Sequence, residues 1–218
     1  MTKAETKRKK HKRWMRKAGS PPGAAPGALH VDPNAPQTTI DVACFKNGVF
    51  ELMKNVTIEQ LKPLVELGTP IWIDVIGLGS IGTLRAIGDL VHVHPLAMED
   101  VLNIHQRAKV DQYGDSLFII ARAIDEMDAC DSEQISFVLR ANVLVSFQQR
   151  PGDSWEPVRN RLREGRGAVR HSGIDYLLYC LLDSIIDSYF PFIDHLADQL
   201  DKIDESITDT KGIAELEE

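Results

Sequence analysis

From residue 108 to residue 148 the chain passes through four short segments rich in β-branched and aromatic side chains, with polar breaks and no helical pattern between them. They cover 108–113, 116–121, 133–139 and 143–148. The breaks Gly114-Asp115 and Ala141-Asn142 are too short for the crossover that parallel neighbours need. Such segments are predicted to pair as antiparallel strands, which argues against a doubly wound sheet with a helix after every strand.

Upstream, Ile40-Asp41-Val42-Ala43-Cys44-Phe45 reads as a strand, Asn47-Gly48 as a turn and 49–53 as the returning strand. Thr57, with Gln60 three residues on, marks a helix start, and Gly68 its end. Pro70-Ile71-Trp72-Ile73-Asp74-Val75-Ile76 is apolar enough for an interior strand buried on both faces. Helices are predicted over 83–91, over 97–102 after Pro95, and over 157–164. The class is therefore α/β, with a mixed, largely antiparallel central sheet.

A long periodic segment follows. Ile186, Tyr189, Ile193, Leu196, Leu200, Ile203 and Ile207 recur at steps of three and four, a seam suited to packing against another helix. Pro191 inside it predicts a kink or a break. Asp194, Asp198, Asp201 and Glu205 fall on the opposite, solvated face. The chain divides into a tail over 1–36, an α/β domain over 37–172 and a helical segment over 173–218.

Charge separates the tail from the rest. Of 218 residues the first 20 hold nine Lys/Arg and only Glu5 as an acid, so a formal charge of −7 becomes −15 for the remainder. The basic run 7–13 and the Pro/Gly-rich stretch behind it have little to bury and are predicted to be disordered. An electrostatic arm for lipid or nucleic acid, with Trp14 as anchor, is the functional alternative to a solvated tail. No uncharged apolar run of about 18 residues occurs, so no membrane span is expected. Cys44, Cys130 and Cys180 are scattered and read as reduced, mostly buried thiols.

Gly77-Leu78-Gly79-Ser80-Ile81-Gly82 is a literal G-x-G-x-x-G between a strand and a helix, the arrangement that cradles a pyrophosphate in NAD-dependent oxidoreductases. The second strand with its ribose-binding acid does not follow, since Pro95 interrupts the chain there. A flexible strand-to-helix loop explains the glycines as well. His92, His94 and His105 lack the further ligands at fixed spacing that zinc requires. The acids are more informative. Glu99-Asp100 fall where a helix start would favour a carboxylate, and Asp183 with Asp187 lie four apart on one helical face. Clustered carboxylates in a partly desolvated interface call for protonation, a basic partner or a hard cation such as magnesium.

His94-Pro95-Leu96-Ala97-Met98-Glu99-Asp100-Val101-Leu102-Asn103-Ile104-His105-Gln106-Arg107 resembles the most characteristic stretch of the cytosolic domain of the CorA family of magnesium and cobalt transporters. Trp72-Ile73-Asp74-Val75 is similar to the family's Trp-led strand, and the stretch from Lys109-Val110 to Phe118 to its hairpin. Glu133-Gln134-Ile135-Ser136 resembles the next strand. Asp175-Tyr176-Leu177-Leu178-Tyr179 with Asp183, Asp187, Tyr189 and Phe190 resembles the helix that leads to the stalk. The likeness extends in order over about residues 40 to 207.

The resemblance implies an α/β/α sandwich followed by a helical segment leading to a stalk, at the cytoplasmic face of the inner membrane below a homopentameric pore. Magnesium, or cobalt, is then both regulatory and transported ion. Ions between neighbouring subunits hold the ring closed, and their loss lets carboxylates repel and the pore conduct. By motif position Asp100 is the principal ligand, Glu99 and Asp183 stand beside it, and Asp187 and His105 contribute through ordered water. The family's two transmembrane helices and its Gly-Met-Asn signature do not occur in these residues. The chain is accordingly expected to be soluble, non-conducting and weakly oligomeric, with an incomplete metal site. It joins the membrane only through the missing C-terminal helices. Pro191 and the Gly77 loop are not features of the family. The expectation is a binding and gating module, not an enzyme, with no nucleic-acid partner.

Overall fold

The computed structural model describes residues 27–46, 49–125, 128–152 and 155–208, together with Gly23 and Ala25. The basic run, Trp14, the Asn47-Gly48 turn and residues 209–218 lie outside the described residues, as do the side chains of Cys130 and Ile207. The elements are β1 (Thr39–Lys46), β2 (Val49–Met53), α1 (Ile58–Glu66), β3 (Ile71–Ile76), α2 (Ile81–Val91), α3 (Pro95–Leu102), β4 (Lys109–Tyr113), β5 (Ser116–Asp125), β6 (Asp128–Arg140), β7 (Val143–Gln148), α4 (Glu156–Glu164), α5 (Ile174–Asp187) and α6 (Tyr189–Thr208).

The strands form one sheet in the order β2-β1-β3-β7-β6-β5-β4. Tight hairpins make β4–β5 and β6–β7 antiparallel, with Tyr113 opposite Ser116 and Arg140 opposite Val143. Among the described strands only β3 and β7 run parallel, because α2, α3 and the β4–β6 meander lie between them in the chain. Thr57 and Gln60 form the expected capping box at the start of α1.

Alternation along the strands builds two cores, one on each face of the sheet. Ile71, Ile73 and Val75 of β3 point into a layer with α1, α2 and α3, through Leu61, Leu84, Ile87, Met98 and Val101. Trp72 of the same strand points into the other layer, with Trp155 at the N-cap of α4, Leu162 on α4, and Leu177 and Leu181 on α5. The result is an α/β/α sandwich. Asp74 also faces this second layer, fully buried, where a charge requires partners. Ser146 Oγ and Gln148 Nε2 donate to its Oδ1 at 2.7 and 2.9 Å, and Arg159 Nη2 donates to its Oδ2 at 2.5 Å.

The glycine loop is already filled. Gly79 N–H donates to the Pro36 carbonyl at 2.8 Å, and Ser80 N–H to Thr38 Oγ1 at 3.0 Å. A Cβ on Gly77 would lie 2.5 Å from the Gln37 carbonyl oxygen, and one on Gly79 2.6 Å from that of Pro36. The glycines thus admit the chain's own residues 35–38, and the amides a pyrophosphate would need are consumed. With a largely antiparallel sheet as well, nothing supports the oxidoreductase alternative. Residues 27–36, grouped by sequence with the tail, lie against the domain, with Leu29 and Val31 packed on the first core.

The break expected at Pro191 falls at Ser188, between α5 and α6. Proline has no N–H for the carbonyl of Asp187, four residues back, so α5 ends there. Along α6 the seam is bare: Ile193, Leu196, Leu200 and Ile203 are 41–65% exposed, and no described element covers them. By length and composition alone Ile174–Ser206 could cross a membrane. Its first half, however, is the amphipathic core helix α5, with Leu177, Leu178, Leu181 and Ile185 buried against the sheet.

Candidate metal-binding edge

The residues of the sequence motif are carried by α3 and the loop behind it. His94 caps the helix, its Nδ1 accepting from Leu96 N–H at 3.2 Å, and Pro95 occupies the first turn, where its missing N–H does no harm. Ala97, Met98, Val101 and Leu102 bury one side of α3, which leaves Glu99 and Asp100 half-buried at its margin. Both acids fall in the second half of this eight-residue helix, so the expectation of a helix start under them is corrected. There the helix dipole disfavours a carboxylate, and other groups must compensate.

Those groups are specific. Gly27 N–H donates to Glu99 Oε2 at 2.7 Å. Gln106 Nε2 donates to Asp100 Oδ1 at 2.9 Å, and Lys109 Nζ to Asp100 Oδ2 at 2.7 Å. Lys109 also reaches Asp111 at 2.8 Å. Burial pulls the Lys109 ammonium down, but its hydrogen bonds and charge contacts with Asp100 and Asp111 outweigh that and push its pKa up to about 12. The loop is held by Gln134, buried on β6, whose amide oxygen accepts from Gln106 N–H and whose amide nitrogen donates to the Asp100 carbonyl. Arg122 of β5 donates to the Ile104 carbonyl at 2.9 Å and to Ser132. Its own carbonyl accepts from Tyr189 Oη at 2.7 Å, so one residue ties the motif loop to the start of α6.

His105 stands exposed on that loop. Asp183 and Asp187 lie on the outward side of α5, beside Tyr179, whose hydroxyl pKa is raised chiefly by the Asp183 charge. Glu99 and Asp100 thus lie on α3 and His105 on the loop behind it, in the layer of the first core, and Asp183 with Asp187 lie on α5 in the layer of the second. Among the described residues no three His, Cys, Asp or Glu side chains could hold a metal ion. Carboxylate oxygens are donors of the kind that suit a hard cation. Gln106, Lys109 and Gln134 were missed as partners of Asp100. A glutamine and a serine two apart on the interior face of β6 were the available signal.

An α/β/α sandwich with a carboxylate-bearing helix at its margin is the class defined by this fold and site. A family profile described as "CorA-like Mg2+ transporter protein" matches residues 68–216. The chain belongs to the CorA family. It is 32% identical over 199 residues to the cobalt/magnesium transport protein CorA of Thermotoga maritima, covering 90% of this chain and 56% of that one. It is 27% identical over 154 residues to the magnesium transporter ALR2 of Saccharomyces cerevisiae, covering 67% of this chain and 17% of the other. The chain therefore spans about half the length of the bacterial relative and less of the yeast one. Among solved structures, CorA of Methanocaldococcus jannaschii superposes with a TM-score of 0.58 at 16% identity, over 81% of this chain and 54% of that chain. The ZntB cytoplasmic domain of Vibrio parahaemolyticus does so with 0.61 at 15% identity, over 80% and 68%. The chain shares its fold with these two structures.

Proposed function

We propose that this chain is the cytosolic metal-sensing domain of a CorA-type transporter, a homopentamer with magnesium, or cobalt, as regulatory and transported ion. Family membership supports the assignment, and the names of the relatives support the ions. The observation that carries the sensing role is the segregation of the acids. Within one chain α3, which carries Glu99 and Asp100, packs on one face of the sheet and α5, which carries Asp183 and Asp187, on the other, which supports a site shared between neighbouring copies. Asp100 is the principal ligand in this reading, with Glu99 and Asp183 beside it and His105 and Asp187 acting through ordered water. A bound divalent cation supplies the charge that lets these groups share an interface. Without it the carboxylates repel by roughly 4 kcal/mol per pair at about 4 Å and an effective dielectric near 20, and the ring loosens. The bare seam of α6 leads, on this reading, to the stalk and to the membrane beyond it.

A thermal melt of the 218-residue chain in EDTA, magnesium or cobalt tests the proposal. Saturation at 100 times the dissociation constant adds about 2.7 kcal/mol, several degrees in Tm. The expected outcome is stabilisation that Asp100→Ala abolishes. A magnesium response that survives in Asp100→Ala would overturn the site.

A further inference from the structure

We propose that Lys109 is a built-in competitor for the divalent cation at Asp100, and that the metal threshold of this edge is set by displacement of a tethered ammonium. This rests on the reading of Asp100 as a metal ligand given above. Both oxygens of that carboxylate are engaged within the chain, Oδ1 by Gln106 and Oδ2 by the Lys109 ammonium at 2.7 Å. Neither charged group is loosely solvated, the two side chains being 18% and 32% exposed. A cation bound to Asp100 and an ammonium on the same carboxylate repel strongly, so one must leave for the other to bind.

The local structure provides for that exchange. Lys109 opens β4, and Asp111, two residues along, lies on the same side of the strand, with its carboxylate 2.8 Å from the same ammonium. On leaving Asp100 the ammonium keeps Asp111 as partner, and its position 5.8 Å from the Phe118 ring keeps it at the site. Asp100 stays aimed meanwhile, because Gln134 holds the backbone of both Asp100 and Gln106. In the observed arrangement the ammonium bridges Asp100 and Asp111 and excludes the cation; in the second, proposed arrangement it rests on Asp111 alone and admits it. The apparent dissociation constant is raised by the scarcity of the second arrangement.

Magnesium titrations of the 218-residue chain, followed by thermal melt at constant ionic strength, test this. In Lys109→Met the midpoint of the magnesium response is expected to fall by about fivefold, the upper end for a part-exposed ion pair. Lys109→Arg should behave as the parent chain. Asp111→Asn commits the ammonium to Asp100 and should move the midpoint to higher magnesium, which keeps the proposal testable if Lys109→Met does not fold. Unchanged midpoints in Lys109→Met and Asp111→Asn, with the response still abolished by Asp100→Asn, would overturn the competitor and leave Asp100 as ligand. A response indifferent to Asp100→Asn, or absent from every variant, would overturn the metal reading and the competitor together.

Discussion

Glu133 shows how burial and hydrogen bonding oppose each other at a single side chain. It is 9% exposed, and its Oε1 accepts from the N–H groups of Gln149 and Arg150 at 2.7 and 3.1 Å. Burial raises its pKa above the usual 4.5, and those N–H groups and the Arg150 guanidinium offset this only in part. The folded chain therefore holds this proton to higher pH than the unfolded chain. Stability from the group is complete below about 4.5 and declines as pH rises through the folded value. Glu133→Gln keeps an oxygen for both N–H groups and removes the titration. Urea melts should show the parent losing stability relative to Glu133→Gln between pH 4 and neutrality. A constant difference would show that burial does not govern the group. Asp100 was legible in the sequence because a contiguous motif contains it. Lys109 was not legible as its partner, since the pairing depends on how the loop from α3 returns into β4.

At the level of elements, Asp74 and Arg159 fasten α4 to the sheet. An acid inside an otherwise apolar interior strand announces that it must be paired, but not with what. Asp74→Ala leaves the Arg159 guanidinium buried without its carboxylate and should cost about 3–5 kcal/mol. The double change Asp74→Leu/Arg159→Met should recover most of that loss, since apolar groups of similar volume replace a buried pair with little penalty. Denaturant midpoints of both variants measure this, and equal losses would deny the pair its role. The same contrast runs through the other elements. Strand order along the chain, the tight turns after β4 and β6, the capping box and the break near Pro191 follow from local chemistry. In contrast, β5 and β6 run well beyond the 116–121 and 133–139 read from sequence, because they extend by pairing with each other. The purpose of Gly77 and Gly79 could not be read locally either. Their spacing matches a phosphate cradle, and only the passage of residues 35–38 across the loop shows that the chain itself fills it.

For the whole molecule, the two faces of the long helical segment make opposite demands. Leu181 on α5 is fully buried in the second core, whereas Leu196 and Leu200 on α6 are 41% and 65% exposed. In this chain Leu196→Asp and Leu200→Asp should leave stability within about 0.5 kcal/mol of the parent, while Leu181→Asp prevents cooperative folding. A large loss from either α6 change would mean that the seam is already covered, by the chain or by a second copy. Sequence alone determined the α/β class, the antiparallel meander, the family and the acids that carry its motif. These rest on periodicity, turn residues and contiguous motifs, which act over a few residues. Tertiary structure alone decided that Asp100 and Asp183 stand on opposite layers, that Lys109 and Gln106 saturate Asp100, and that the glycine loop is closed. Each of these depends on where distant segments return, and burial and pairing between such segments leave no local signature.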